Sequence, residues 1–314
     1  MKIIKQFLLT LGLTGLIASS TSAANADFNF SVTPVAENVY SIIAPSFGLP
    51  TPENKGWNSN SYFVVTDKGV LVFDTGSSES IGKAIKNAIK SVTDQPVRWV
   101  VNSHSHADHW LGNAAFNGPD TEFIATNRAA ATMKKYGQQD VDAFSRMTQG
   151  ATGASQLALP GSLLAQKEKR NLAGIDIEFI FSDDGHSPGD ILMWLPKQKI
   201  IFGGDVLNSD WMPIITPHAN IPNLINTLYA VAKLDPAIVL TGHGKPTTVK
   251  SVTRDADLLN AVWQLVKTGQ KEGKKTDEIL SQANTMLAPR YSSLYKNFDS
   301  QIKQQVEQMY KKLT

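Results

Sequence analysis

The chain has 314 residues, 30 of them basic and 28 acidic, giving a formal charge of +2, with 42% hydrophobic and 18% charged residues. So even a balance leaves no electrostatic footprint for nucleic acid, and the apolar content excludes extended disorder. Cysteine is absent, which removes disulfides, thiolate metal ligands, a cysteine nucleophile and a lipoprotein anchor.

Residues 1–26 read as a secretory signal. Lys2 and Lys5 precede an apolar run over 7–18, and small residues follow, with Ala23 and Ala26 as candidate cleavage positions. The run falls short of the ~20 residues that span a bilayer, so it is read as a removable address and not as an anchor. Its loss takes two lysines and leaves 28 charges of each sign. The expectation is a neutral protein exported to a periplasm, with no stable membrane anchor.

Beyond it, residues 38–43, 62–66 and 70–74 carry strand signals, the last two joined by a turn at Asp67-Lys68-Gly69. Ile81, Ala84, Ile85, Ala88, Ile89 and Val92 recur at helical spacing. Strands are expected over 97–101, 122–125, 177–181, 191–195, 200–203 and 237–241, with helical patterns near 127–136, 139–147 and 221–233. Residues 45–60 and 148–161 are rich in turn formers and read as loops, and 167–170 as a solvated charged face. After Pro246 only helical patterns remain, in two apolar stripes (Leu258 to Val266 and Leu294 to Leu313) that suit core-facing helices. This alternation predicts an α/β class with helices covering the sheets. A domain over 27–250 and a helical C-terminal extension over 251–314 packed on it are expected.

The chemistry concentrates in histidine. His104-Ser-His106-Ala-Asp108-His109 follows the expected strand 97–101 directly, while His186, Asp205 and His243 each follow a later strand with glycine beside them. Five of the six histidines thus fall at strand ends. Imidazole and carboxylate are ligand types for zinc, and also for iron and manganese. No G-x-S-x-G elbow offers a serine nucleophile, and Ser187 reads as a turn residue.

This order, HxHxDH followed by His, Asp and His and preceded by Asp74-Thr75-Gly76, resembles the metallo-β-lactamase superfamily from about residue 62 to 243. The resemblance implies a four-layer αβ/βα sandwich with two zinc ions at one edge. It assigns His104, His106 and His186 to the first ion, Asp108, His109 and His243 to the second, and Asp205 to both. Asp74 would support the ligands without being catalytic. The implied reaction is attack by a metal-bound hydroxide, available near neutral pH, with Asp108 orienting the nucleophile and shuttling a proton.

Gly203-Gly204-Asp205 stands where cysteine-using lactamases carry their cysteine, and Asn208 where they tend to carry a lysine. Asp205 resembles instead glyoxalase II, lactonases, phosphodiesterases and exported hydrolases associated with quinoprotein or sulfur-oxidation systems. An exported hydrolase of esters, thioesters, lactones or amides, β-lactams included, is the expectation, with a small-molecule substrate and no nucleic-acid partner. The alternatives are a true β-lactamase, a phosphodiesterase, a mononuclear iron persulfide dioxygenase and a non-enzymatic metal-binding protein. The loops 45–60, with Trp57 and Asn58, and 205–220, with Asn208, Trp211 and His218, are expected to wall the substrate site. His218 is also read as a plain surface residue. Oligomeric state is not specified by the sequence.

Overall fold

The computed structural model describes residues 28–45 and 48–314. The expected signal over 1–26 lies outside the described residues. Strands β1 (Thr33–Ala36), β2 (Val39–Ile42), β3 (Ser61–Thr66) and β4 (Gly69–Phe73) form an antiparallel meander. Helix α1 (Glu79–Lys90) crosses over to β5 (Val97–Val101), which runs parallel to β4. The short helix α2 (Ala107–Trp110) precedes β6 (Glu122–Thr126). Then come the long helix α3 (Asn127–Met147) and β7 (Ser162–Leu164), completing a seven-stranded sheet in the order β1 to β7. The second sheet contains β8 (Glu168–Leu172), β9 (Ile175–Phe181), β10 (Ile191–Leu195) and β11 (Ile200–Phe202). After helix α4 (Ile221–Lys233), β12 (Ile238–Leu240) joins it, giving the order β12-β11-β10-β9-β8. Three helices close the chain: α5 (Val249–Lys271), α6 (Thr276–Tyr291) and α7 (Phe298–Lys311).

Period-two alternation explains the layering. In β4, Leu71 and Phe73 enter the core between the sheets, while Val70 and Val72 join the cluster of Ile81, Ile85 and Ile89 on α1. In β10, Ile191, Met193 and Leu195 face the first sheet, and Leu192 and Trp194 face outward to the cluster that holds α4 and α5. Each such side chain stabilises the fold by about 1.5–3 kcal/mol on burial. Both sheets are therefore covered on both faces, which gives the four-layer sandwich. Helix α1 begins where Ser78 Oγ accepts the Ile81 amide at 3.3 Å, and it buries the stripe read from its spacing.

Strands β4, β5 and β6 run parallel, as do β11 and β12, so loops leaving their carboxyl ends gather at one edge. The sheets are tied there by backbone bonds from Ile191 N to Ser103 O and from Asn60 N to Gly242 O, both 2.8 Å.

The structure departs from the sequence reading in several places. The patterns near 127–136 and 139–147 are one helix, and Gly137 between them packs under Trp110, where a Cβ would lie 2.8 Å from the ring. Residues 167–170 are not simply a solvated face but enter the edge strand β8, where Arg170 Nη1 donates to Glu122 Oε1 at 2.9 Å. Strands β1 (Thr33-Pro34-Val35-Ala36) and β7 (Ser162-Leu163-Leu164) carry no β-branched or aromatic run to mark them. The C-terminal stripes do face a core: Leu258, Val262, Phe298, Ile302 and Val306 are buried in one cluster with α4. Leu294 is the exception and is exposed. Among the described residues, no helix is long and apolar enough to cross a membrane.

Candidate metal centre

The loop after β5 is held in shape by buried polar groups. Asp74, at the end of β4, adopts φ +60°, a conformation uncommon for a residue with a side chain and one that needs local support. Its carboxylate accepts the Ser103 amide at 2.8 Å and the Ser103 hydroxyl at 2.7 Å, and lies 2.9 Å from His109 Nδ1. Trp110, fully buried, donates to Ser105 O at 3.1 Å and closes the loop from beneath. On the other side Ser59 Oγ donates to Asp108 O. His186 is aimed inward by Asp190, whose carboxylate accepts the His186 amide at 2.7 Å and the Ser187 hydroxyl at 2.6 Å. Ser187 thus serves the turn, as its neighbours in the sequence suggested. Gly242 permits a close approach to the bridging position: a Cβ there would stand 2.1 Å from Asp205 Oδ1.

These elements bring every expected ligand to one place. His104, His106, His186 and Asp205 form one group, and Asp108, His109 and His243 another, with the ligand atoms within 4.8 Å of one another in each. Asp205 lies between them. Its Oδ2 is 3.5 Å from His186 Nε2 and 3.8 Å from His104 Nε2, while its Oδ1 is 3.2 Å from His109 Nε2 and 3.3 Å from His243 Nε2. His106 turns Nδ1 inward, 3.1 Å from His186 Nε2. Asp108 Oδ2 lies 3.7 Å from His109 Nε2 and 3.6 Å from His243 Nε2.

The outward ring nitrogens are engaged. His104 Nδ1 meets Ser103 Oγ at 2.9 Å, His109 Nδ1 meets Asp74, and His243 Nδ1 meets Asn58 O at 2.6 Å. Such partners orient a ligating imidazole and raise its basicity. The inward atoms His104 Nε2, His109 Nε2 and Asp205 Oδ1 are buried without a hydrogen-bond partner. Buried polar atoms left unpaired are costly, and divalent cations, one in each group, would satisfy all three. The donor set, nitrogen with carboxylate oxygen, suits zinc and its neighbours.

The electrostatics agree. Burial lowers the basicity of His104, His106 and His186, the last to about 3, which keeps them neutral and able to ligate. At His109 and His243 burial acts the same way, but Asp205 and Asp108 outweigh it and raise both, Asp74 adding at His109. Burial alone would raise Asp205, yet His243 and His109 hold it well below the carboxylate range. Negative charge packed around these histidines therefore calls for positive charge, from protons or from metal.

The centre floors a cavity of about 930 Å³. Both expected loops contribute: Asn58 from the first, donating to Asp108 Oδ2 at 2.9 Å, and Thr216 and His218 from the second. His218 is exposed at its rim, so its surface position and its place on the wall coincide. The other expected contacts are corrected, since Trp57, Asn208 and Trp211 do not line the cavity. Trp57 lies against Phe30 with ring centroids 3.9 Å apart and tilted by 35°, partly buried against the core outside the first sheet. Asn208 is buried with its amide 3.5 Å from Asp205 O. The segment carrying Trp211 is held at the foot of α7, where Lys296 N donates to Asp210 O and Met212 N to Asn297 Oδ1, both at 2.9 Å.

The remaining wall went unread: helix α3, through Tyr136, Asp140, Phe144 and Met147. The line Tyr136, Asp140, Phe144 and Met147, at spacings of four and three along one edge of the stripe that packs inward, is its signal. Asp140 sits half-buried there, its carboxyl pushed up to about 6 by burial and by the charge of Asp108. Asn60 was also missed. Its amide reaches Thr241 O at 2.9 Å and Gly244 O at 2.7 Å, anchoring the His243 loop.

A two-sheet sandwich with an edge of convergent histidines and carboxylates defines a candidate metalloenzyme. The chain matches the model of the metallo-beta-lactamase superfamily over residues 54–243, and it belongs to that superfamily. It is 25% identical over 251 residues to metallo-beta-lactamase IND-1 of Chryseobacterium indologenes, an alignment covering 78% of this chain and 94% of that protein. The metallo-beta-lactamase of Pontibacter korlensis superposes with a TM-score of 0.60 at 19% identity, over 74% of this chain and 99% of that one. The inverting sec-alkylsulfatase Pisa1 of Pseudomonas sp. superposes with a TM-score of 0.73 at 15% identity, over 90% of this chain. This chain spans half the length of that sulfatase.

Proposed function

We propose that the chain is an exported hydrolase that holds two divalent ions, zinc before iron or manganese, and cleaves a small molecule at a carbonyl centre. Esters, thioesters, lactones and amides fall in that class, strained β-lactams among them. The observation that carries this reading is Asp205, which presents one carboxylate oxygen to each group of ligands. His104, His106 and His186 would hold the first ion with Asp205, and Asp108, His109 and His243 the second. The domain would comprise 27–250, with 251–314 packed on it.

Bound metal supplies a Lewis acid and lowers the pKa of a coordinated water toward about 7. The protein supplies position and a proton path. Asp108 Oδ2 accepts from Asn58 and lies beside His243, where it can take the proton of the attacking water and hand it to the leaving atom. In the balance, the water oxygen joins the acyl carbon, the bond to the leaving oxygen, nitrogen or sulfur breaks, and the proton departs with that atom. Neutral overall charge after loss of residues 1–26 supports a substrate other than a polyanion.

The test is metal analysis of purified protein, followed by a panel of nitrocefin, a lactone, a thioester, a phosphodiester and octyl sulfate. Two ions per chain with turnover of a carbonyl substrate is the expected result. One iron per chain with oxygen uptake on a persulfide, or turnover of the phosphodiester alone, would overturn it.

A further inference from the structure

Helix α3 has one apolar face, and packing covers its centre but not the edge that borders the cavity. Ala129, Ala130, Met133, Gly137 and Val141 are its buried positions. Phe144 continues that stripe, partly buried against the same cluster, while Tyr136 and Met147 stand at its edge, 40% and 37% exposed, and all three line the cavity. Across the cavity stand Leu49, 75% exposed, and Ile214, 37% exposed. Of the eight large hydrophobic side chains exposed among the described residues, four are thus gathered around one opening. Exposed apolar groups scattered singly are ordinary, but a cluster at a concave polar floor marks a ligand. The wall carries polar groups too, Thr132, Lys135 and Asp140, and Lys135 Nζ lies 4.7 Å from the centre of the Tyr136 ring.

We infer that this wall is an acyl-chain subsite: the substrate carries a linear apolar chain that lies along Tyr136, Phe144 and Met147 while its scissile carbonyl meets the metal edge. This rests on the hydrolase reading and names the substrate class within it. The cavity, about 930 Å³, is at the upper end of the roughly 300–1,000 Å³ typical of small-molecule sites, so a medium-length chain fits without reshaping the wall.

The experiment is a chain-length series of 4-nitrophenyl esters, acetate to decanoate, run on the metal-loaded protein and on a Tyr136→Ser/Met147→Ser double variant. Decanamide binding to metal-free protein is measured alongside by calorimetry. Both substituted side chains are exposed, so the fold tolerates the change. Each added methylene is expected to lower KM about twofold to fourfold until the wall is filled. The double variant should lose at least tenfold in the decanoate-to-acetate ratio of kcat/KM, and decanamide should bind the parent protein more tightly than acetamide. Hydrolysis with no chain-length preference, or a preference the double variant keeps, overturns the subsite and leaves the hydrolase reading standing. Decanamide binding lost in the double variant, with no ester cleaved, supports the subsite and removes the carbonyl reading.

Discussion

Asp74 and His109 meet at 2.9 Å, carboxylate to Nδ1, with both side chains sealed from solvent. The same carboxylate takes the amide and hydroxyl of Ser103, so one side chain fixes both ends of the ligand loop. Replacing Asp74 by Asn should preserve the fold but weaken the orientation and basicity of His109. Affinity for the second metal ion is expected to fall about 10- to 100-fold, the usual cost of losing such a partner. Competitive titration against a zinc chelator reads this directly, and equal affinity in parent and variant would contradict the role.

Gly242→Ala addresses the bridging carboxylate without touching it. A methyl group at Gly242 would sit 2.1 Å from Asp205 Oδ1, so Asp205 or the His243 loop must move. Metal content should drop from two ions toward one, with kcat/KM down at least about tenfold from lost positioning. Elemental analysis and circular dichroism together separate this from misfolding. Two ions retained at full affinity would show that the loop yields instead.

Asp108→Asn keeps the acceptor for Asn58 but removes the proton carrier. The expected loss is about 10²- to 10⁴-fold in kcat with KM little changed. Stopped-flow measurement on an ester should show the step sensitive to leaving-group pKa slowed most. A variant slowed only in KM would assign Asp108 to binding.

Away from the metals, Asp255 provides a pH-dependent contribution to stability. It is fully buried; Arg254 donates to its Oδ1 at 2.8 Å and Tyr295 at 2.6 Å, while Oδ2 has no partner. Burial, opposed by Arg254 and the Tyr295 hydrogen bond, pushes its carboxyl up to about 7. An acid whose pKa is higher folded than unfolded binds its proton more tightly in the native state. Its contribution is therefore complete below about pH 4 and lost as pH rises through about 7. Urea unfolding at pH 5 and pH 8 should differ by a few kcal/mol at most from this group. Asp255→Asn should flatten that part of the slope relative to the parent, and an unchanged difference between the two pH values would refute the assignment.

Trp110 tests the support beneath the loop. Trp110→Ala leaves a cavity against Gly137 and removes the bond to Ser105 O, at a cost of about 3–5 kcal/mol. Thermal unfolding should register it. A shift of less than 2 °C would mean that the loop does not depend on this ring.

The amino-acid order alone determined the elements with a strong period, α1, α4, β4 and β10, because one or two faces of each must be buried. It also determined the seven ligand candidates, because five histidines and their acids stand at strand ends with small residues beside them. Tertiary structure decided what local pattern does not encode. Which oxygen of Asp205 faces which histidines depends on the parallel arrangement of β4, β5, β11 and β12 and on the missing side chain at Gly242. The roles of Trp57 and Trp211 were decided by distant partners, Phe30 in one case and the foot of α7 in the other. An aromatic residue in a loop looks the same in sequence whether it meets a ligand or the core. Helix α3 shows the converse: the edge of its apolar face becomes a wall only because the sandwich turns it over the metal edge.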